Sequence, residues 1–381
     1  MNKKIGIAGL VIILLIFAFH TYNKKDSSKD IVNVYGWYGV MPRKILRDFE
    51  KETGIKVVYD VYDNNDTLET KLLATNSGYD VVFPSFIPYA ARQMSMGVYS
   101  KLDMNLLTNI KNISGAITEK FKKIGGDINL LVPYFWGTIG IACEETLINK
   151  IFPNEKIDSY DILLDPEKIK KLTRYGVSFP EEYIDIFPQT EGYLGIENLE
   201  KKTDKIPLYV KHFQKIRKYI TKFSSNTIIS DLLSGEVIVG IGSSDNVWRA
   251  MESSANVGKK IKYLLPKKGG ILWTDCVGIP NKAPHKENAH KFLNYLLRPD
   301  VAATITNFSG ILVNILESTQ FYVDSILSNK DIFPRDPEIL DSLIMGSPSK
   351  NTDDVKYDKA ATRAWSQIRM NEFKNQEEQR K

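Results

Sequence analysis

The sequence predicts an α/β protein built from mainly parallel sheets flanked by helices, on three observations. Short runs rich in Val, Ile, Tyr and Phe alternate with amphipathic stretches, the order that places helices between neighbouring parallel strands. A helix end, a glycine stop and a strand follow one another within residues 49–60. Ile45, Leu46 and Phe49 recur at helical spacing, Gly54 can take the left-handed backbone that ends a helix, and residues 55–59 read as a strand. Finally, 381 residues with 43% hydrophobic and 25% charged side chains describe a globular chain long enough for two domains of ordinary size.

Residues 1–22 come first and stand apart. Lys3 and Lys4 precede an apolar run from Ile5 to Phe19, the charged and hydrophobic regions of a secretory signal. The run is shorter than the roughly 20 residues of a membrane span. Its flank, Ala18-Phe19-His20-Thr21, matches a small-x-small cleavage site poorly, so a cleaved signal and a retained anchor both stay open. No cysteine follows the run closely enough for a lipid anchor.

Beyond the signal, strands are predicted at 31–35, 55–59, 81–83, 139–143, 176–179 and 236–241. Helices are predicted at 41–53, 67–74, 89–96 and 287–297. In the last of these Ala289, Phe292, Leu293 and Leu296 form one apolar face, and Pro299 closes the segment. No internal repeat or low-complexity stretch is visible.

Charge and motif content exclude several function classes. The formal charge is +5, or +3 once residues 1–22 are removed with Lys3 and Lys4. Pairs such as Lys170-Lys171 and Lys201-Lys202 have acids beside them, and no basic stripe interleaves with aromatics, so nucleic acid is not an expected partner. Two cysteines, Cys143 and Cys276, make neither a disulfide scaffold nor a metal cluster, although in an oxidising compartment they could pair with each other. His285 and His290 lack the spacing of a zinc-hydrolase helix, and with His212 they read as solvated residues. Neither a nucleophile turn nor a phosphate loop is present. Gly240-Ile241-Gly242 runs into Ser243-Ser244-Asp245 rather than the third glycine of a dinucleotide fingerprint.

Several segments, in order, resemble one family. They are Tyr35-Gly36-Trp37-Tyr38; Lys51-Glu52-Thr53-Gly54-Ile55-Lys56-Val57; and Tyr79-Asp80-Val81-Val82-Phe83-Pro84-Ser85. Gly176-Val177-Ser178-Phe179, Val239-Gly240-Ile241-Gly242 with Val247-Trp248, and Lys268-Gly269-Gly270-Ile271 with Asp275 follow. The stretch from Phe292 to Val301 and Thr362-Arg363-Ala364-Trp365 complete the set. Together they resemble the periplasmic polyamine-binding proteins of ABC transporters, with the putrescine-binding member most similar. The resemblance implies a type II periplasmic binding protein fold, in which two lobes each hold a mainly parallel sheet flanked by helices. The chain would cross between lobes at about residues 138, 277 and 312. Lobe one would comprise 31–137 and 277–311, and lobe two 138–276 and 312–381, with the ligand in the cleft between them. It further implies a periplasmic monomer that needs no cofactor or metal and delivers putrescine or spermidine to permease subunits.

A ligand with two or more ammonium groups needs carboxylates to meet the separated charges and aromatic walls along its methylene chain. Asp275 lies between Trp273 and the apolar Val277-Gly278-Ile279, where a lone carboxylate is costly without a cation. By resemblance Asp275 is an amine-binding acid and Trp273 an aromatic wall; a turn aspartate is the alternative. Ser178 and Glu181 have the spacing of a capping box that would open a helix carrying Glu182 and Asp185 on one face. The resemblance places Asp185 at an amine-binding acid and Glu182 at a second acid found in some members. Trp37 matches a further aromatic wall and Ser85 a ligand-orienting hydroxyl. Trp136, Trp248 and Trp365 read as packing residues.

Departures from the pattern are equally specific. Val40, Ser243 and Ile311 stand where relatives carry aromatics, and Asn246 where they carry an aspartate. Tyr38, Phe86 and Tyr89 are candidates to replace the lost aromatic surface. The same receptor architecture with another organic cation or an amino acid therefore remains an alternative. A cleft enzyme is a second one, for which no catalytic constellation is found.

Overall fold

Ile45 and Phe49 of the helix Arg43–Thr53 are buried, and the helix ends where Gly54 adopts φ +73° and donates its N–H to Glu50 O at 2.9 Å. The Glu50 carboxylate then accepts from Val57 N at 2.9 Å, so the last helical turn fixes the strand that follows. The computed structural model describes residues 30–74, 77–196, 201–225, 227–266, 270–314, 332, 334, 336–346 and 352–371. The expected signal or anchor at 1–22, together with Lys268 and Gly269 of one family segment, lies outside the described residues.

Among those residues eleven strands are hydrogen-bonded together: β1 (Ile31–Trp37), β2 (Lys56–Tyr62), β3 (Val81–Val82), β4 (Leu131–Glu144), β5 (Val177–Phe179), β6 (Lys222–Phe223), β7 (Val239–Ser243), β8 (Ile261–Leu264), β9 (Ile271–Gly278), β10 (Leu312–Val313) and β11 (Ile344–Met345). The order is β2-β1-β3-β9-β4-β7-β5-β6, with β8 and β10 paired to β4 and β11 to β9. β1 pairs in parallel with β2 and β3, and β5 in parallel with β6 and β7. Between these two parallel groups run β4 and β9, antiparallel to each other from Leu131↔Gly278 to Ile139↔Ile271. The first half of β4 also pairs with β10, and its second half with β7 and β8. All fourteen residues of β4 are buried, as expected of a strand covered on both faces.

Two large cores lie on either side of this centre. One gathers Val34, Phe49, Phe83, Tyr134, Phe292 and Leu296. The other gathers Ile141, Phe179, Phe187, Phe213, Ile241 and Trp365. Trp273 packs against both. In the first, the Phe49 and Phe292 rings meet edge to face at 5.0 Å, joining the helix Arg43–Thr53 to the helix Lys286–Leu296. Pro299 occupies the first turn of another helix, Pro299–Ser309, which suits its missing N–H.

Several expectations change. Both cysteines are buried and free. Cys276 pairs with Pro133 on β4, and Cys143 lies ten residues further along that strand, roughly 33 Å away at the usual rise per residue and far beyond disulfide reach. The histidines are not solvated as a group: His212 is buried between the rings of Tyr193 and Phe213, at 5.3 and 5.8 Å. His290 is buried too, accepting at Nε2 from Asp103 N at 2.9 Å, while the partly covered His285 ring meets the buried Asp80 carboxylate at 2.9 Å. The Ser178 capping box does not form, because β5 pairs with β6 and β7 and draws Ser178 into the sheet. Glu182 instead precedes a single turn, Tyr183–Asp185, with no side-chain cap.

Candidate functional site

β9 positions the acid at the centre of the site. Asp275 pairs with Phe135 on β4 and bridges on its other side to Ser85, the residue that follows Phe83-Pro84. Cys276 N donates to Pro84 O at 2.9 Å and seats that loop. Asn65, at the start of the helix Asn65–Leu73, donates from Nδ2 to Ser85 Oγ at 2.9 Å and accepts from Ser85 N at 3.0 Å. With one lone pair of Oγ occupied, the Ser85 hydroxyl donates to Asp275 Oδ1 at 2.7 Å. Sequence reading missed Asn65, whose role depends on a contact across twenty residues.

Asp275 is only 8% exposed. Burial pushes its carboxyl up to about 7; the Ser85 hydroxyl opposes that shift, the charge of Asp245 adds to it, and the nearby Trp37 indole opposes it more weakly. Among the described residues the Trp37 N–H nevertheless finds no hydrogen-bond partner of ordinary geometry and is buried, as is that of Trp273. Asp185 ends its turn with its carboxyl also pushed up to about 7, mainly by burial and then by the charge of Glu182. Two carboxylates are thus held where the anion is costly and, among the described residues, no protein cation pairs with them, an arrangement that a cationic ligand relieves.

Asp185, Asp275, Ser85 and Trp273 line one cavity of about 250 Å³. Apolar surface comes from Phe86, Ile87, Ile184, Ile271 and the segment Ile344-Met345-Gly346. β11 holds that segment in parallel register with β9, and Lys120 Nζ donates to Asp341 O and Leu343 O at 3.2 and 3.3 Å. A Cβ on Gly346 would stand 3.4 Å from Ile87 and 3.6 Å from Ile184, so this backbone wedges between the two isoleucines. Nothing in the local sequence marks 344–346 as a cavity wall.

The remaining candidates lie outside the cavity lining. Trp37 ends β1 with its ring 4.6 Å from that of Tyr62, and Gly36 before it has no room for a Cβ, which would fall 2.2 Å from the Tyr59 hydroxyl. Glu182 is exposed and Tyr38 is 77% exposed. Ser243 and Asn246 are half-buried around the start of the helix Ser244–Ser254, and Ile311 is buried in the first core with Val40. Of the proposed replacements, Phe86 lines the cavity, whereas Tyr89 donates its hydroxyl to Asp66 at 3.1 Å. Trp136, Trp248 and Trp365 are buried.

Another cavity, of about 590 Å³, lies near Glu144, Arg174 and Lys259 and contains none of these residues. Its acids are engaged: Glu144 accepts from Thr146 N and Leu147 N, and Glu236 from Lys222 Nζ. Among the described residues no group of His, Cys, Asp and Glu is arranged to hold a metal, and no helix is long and apolar enough to cross a membrane.

Comparison with known proteins adds four findings. The family model for the bacterial extracellular solute-binding protein matches residues 44–334. The putrescine-binding periplasmic protein SpuD of Pseudomonas aeruginosa (strain UCBPP-PA14) is 36% identical over 342 residues, covering 89% of this chain and 92% of SpuD. The putrescine-binding periplasmic protein PotF of Escherichia coli (strain K12) is 33% identical over 373 residues, covering 97% and 98%. Among solved structures, the spermidine/putrescine ABC transporter substrate-binding protein PotD of Streptococcus pneumoniae superposes with a TM-score of 0.77 over 90% of this chain and 99% of its own, at 21% identity, a likeness of fold.

Proposed function

Since the chain belongs to the bacterial extracellular solute-binding protein family, we propose that it is the receptor of an ABC transporter, capturing a polyamine, putrescine or spermidine, and delivering it to permease subunits. The observation that carries the ligand class is the pair Asp185 and Asp275, two carboxylates in one small, largely apolar cavity, without a paired cation among the described residues and each pushed up to about 7. Ammonium groups would meet the acids while Trp273 and Phe86 cover the methylenes. Binding and release involve no covalent step.

Lobe one would comprise 31–137 and 277–311, and lobe two 138–276 and 312–381. The separate cores and the central β4, β9 and β10 support this division. Closure of the lobes on the ligand would present a state that the permease distinguishes from the open one. The receptor would act as a monomer in the periplasm, exported through residues 1–22. A fusion lacking those residues that still reached the periplasm would contradict the export route.

Val40 and Ile311, buried in the core at positions where the family resemblance implies aromatics, favour one second reading: the same receptor with another organic cation or an amino acid. Calorimetric titration of the purified protein with putrescine, spermidine, spermine and basic amino acids decides between them. Saturable binding of a polyamine in preference to the amino acids is expected, and no binding of any polyamine overturns the proposal.

A further inference from the structure

The turn that carries Asp185 is tied to the last helix of the described residues, Thr352–Met370. Ala361, Ala364, Trp365 and Ile368 recur at helical spacing and are buried in the second core, which fixes this helix in place. Arg217 secures its far end, with Nε donating to Ile368 O at 2.9 Å and Nη2 to Arg369 O at 2.8 Å. Asp358, Trp365 and Arg369 fall in line along one side of the helix, and each reaches the segment around Asp185. Trp365 Nε1 and Arg369 Nη1 donate to Glu181 O at 2.9 and 3.1 Å. The Tyr183 hydroxyl donates to Asp358 Oδ1 at 2.8 Å.

Beyond the turn, the Phe187 ring lies 5.7 Å from that of Trp365 and 5.6 Å from that of Tyr183. The segment is therefore held at 181, 183 and 187, on both sides of Asp185. Within it Asp185 N donates to Glu182 O at 3.2 Å and Ile186 N to Tyr183 O at 3.1 Å, so the backbone at Asp185 follows Tyr183. Ile184, Asp185 and Pro188 line the cavity, whereas no residue of the helix does. A carboxylate in an apolar cavity is better solvated if it swings out to water, and a single turn without a side-chain cap resists that motion little. The tie to the helix supplies the resistance, so the ordering cost is met before any ligand arrives.

We propose that Tyr183 and Asp358 are positioning residues for the ligand: their hydrogen bond keeps Asp185 turned into the cavity, where it meets an ammonium group without rearranging. The proposal rests on the polyamine reading and deepens it, giving the helix Thr352–Met370 a part in binding although it does not touch the cavity.

The test compares the unaltered protein with Tyr183→Phe, Asp358→Ala, Asp358→Asn and Thr362→Ala by melting temperature and by calorimetric titration with putrescine. Titration at about pH 8 keeps both cavity carboxyls mostly ionised, so affinity reports their placement. Thr362 is exposed on the same helix and serves as the control. Carboxyl NMR of the ligand-free protein labelled in aspartate follows the ionisation of Asp185, its signal identified by its loss in Asp185→Asn. Tyr183→Phe and Asp358→Ala should weaken binding about three- to thirtyfold, the range for a residue coupled to a site through intervening contacts. Both should also move the Asp185 midpoint from about 7 toward that of a hydrated aspartate. Asp358→Asn keeps an acceptor for the Tyr183 hydroxyl and should stay within about twofold of the unaltered protein, as should Thr362→Ala. Unchanged affinity in Tyr183→Phe and Asp358→Ala overturns the proposal, as does weaker binding with an unmoved Asp185 midpoint, which would mark a general loss of stability. If the unaltered protein binds no polyamine, the receptor reading fails by itself, and the NMR midpoint still decides whether Tyr183 and Asp358 hold the turn.

Discussion

The Ser85 hydroxyl donates to Asp275 Oδ1 at 2.7 Å because Asn65 Nδ2 occupies the other side of the same oxygen. This arrangement favours the Asp275 anion against the burial that opposes it. Ser85→Ala should therefore weaken cation binding by about 1.5 to 3 kcal/mol near neutral pH, the range of one hydrogen bond to a charged group. Asn65→Ala, which frees the hydroxyl to turn and releases Ser85 N but leaves the hydroxyl able to reach Asp275, should cost less. Titration of both variants with putrescine checks the order, and an Asn65 loss larger than the Ser85 loss would contradict it.

Proton linkage gives a second prediction. An aspartate ionises near 4 in the unfolded chain, whereas Asp185 and Asp275 ionise at about 7 in the folded one. Between these values the folded state holds protons that the unfolded state has released. Ligand-free stability should fall as pH rises from about 4 to about 7, with the full penalty present above that window. Cation affinity should run the opposite way, weakening as pH falls below about 7 and the two carboxyls protonate. Melting curves and titrations from pH 5 to pH 8 measure both slopes. A flat affinity across that range would remove these carboxylates from the binding step.

Gly137 tests the aromatic wall. A Cβ there would fall 2.5 Å from the Trp273 ring and 2.8 Å from Ser244 Oγ. Gly137→Ala should cost about 1 to 3 kcal/mol of stability, as overpacking does, and displace the indole. Denaturant unfolding and tryptophan emission report the two effects. Unchanged stability and spectrum would show that Trp273 moves aside freely.

Much of this was legible in the sequence, and the misses share a cause. The helix that stops at Gly54, the apolar face at Phe292, and Asp275 beside Trp273 each depend on residues close in the chain, so local pattern identifies them. Asn65 against Ser85, the wall at Ile344-Met345-Gly346 and the burial of His212 depend on what tertiary packing brings near. Ser178 shows the conflict directly: its local pattern favours a helix cap, and strand pairing on both sides overrides it. The strand prediction at 139–143 covers only the end of β4, and no predicted strand covers β9, because a strand buried on both faces carries no alternation to follow.

The departures at Ser243 and Asn246 separate a weakened polyamine site from a rebuilt one. In a weakened site, Ser243→Trp adds an aromatic face worth about 0.5 to 2 kcal/mol toward an ammonium group. Asn246→Asp adds an anion, so the double variant should bind putrescine more tightly. In a rebuilt site the indole clashes, at about 1 to 3 kcal/mol of stability. Tighter binding with stability retained is the expected outcome; weaker binding with a lowered melting temperature would favour a ligand outside the simple polyamines.

The most direct test of the polyamine receptor is titration of Asp275→Asn beside the unaltered protein, with putrescine and spermidine. Asparagine keeps the shape of the side chain and removes the charge, leaving a desolvated ammonium group without its partner. The loss should be about 2 to 5 kcal/mol, as for truncating one side of a buried charge pair. Unchanged affinity for both polyamines in Asp275→Asn would contradict the assignment of the site.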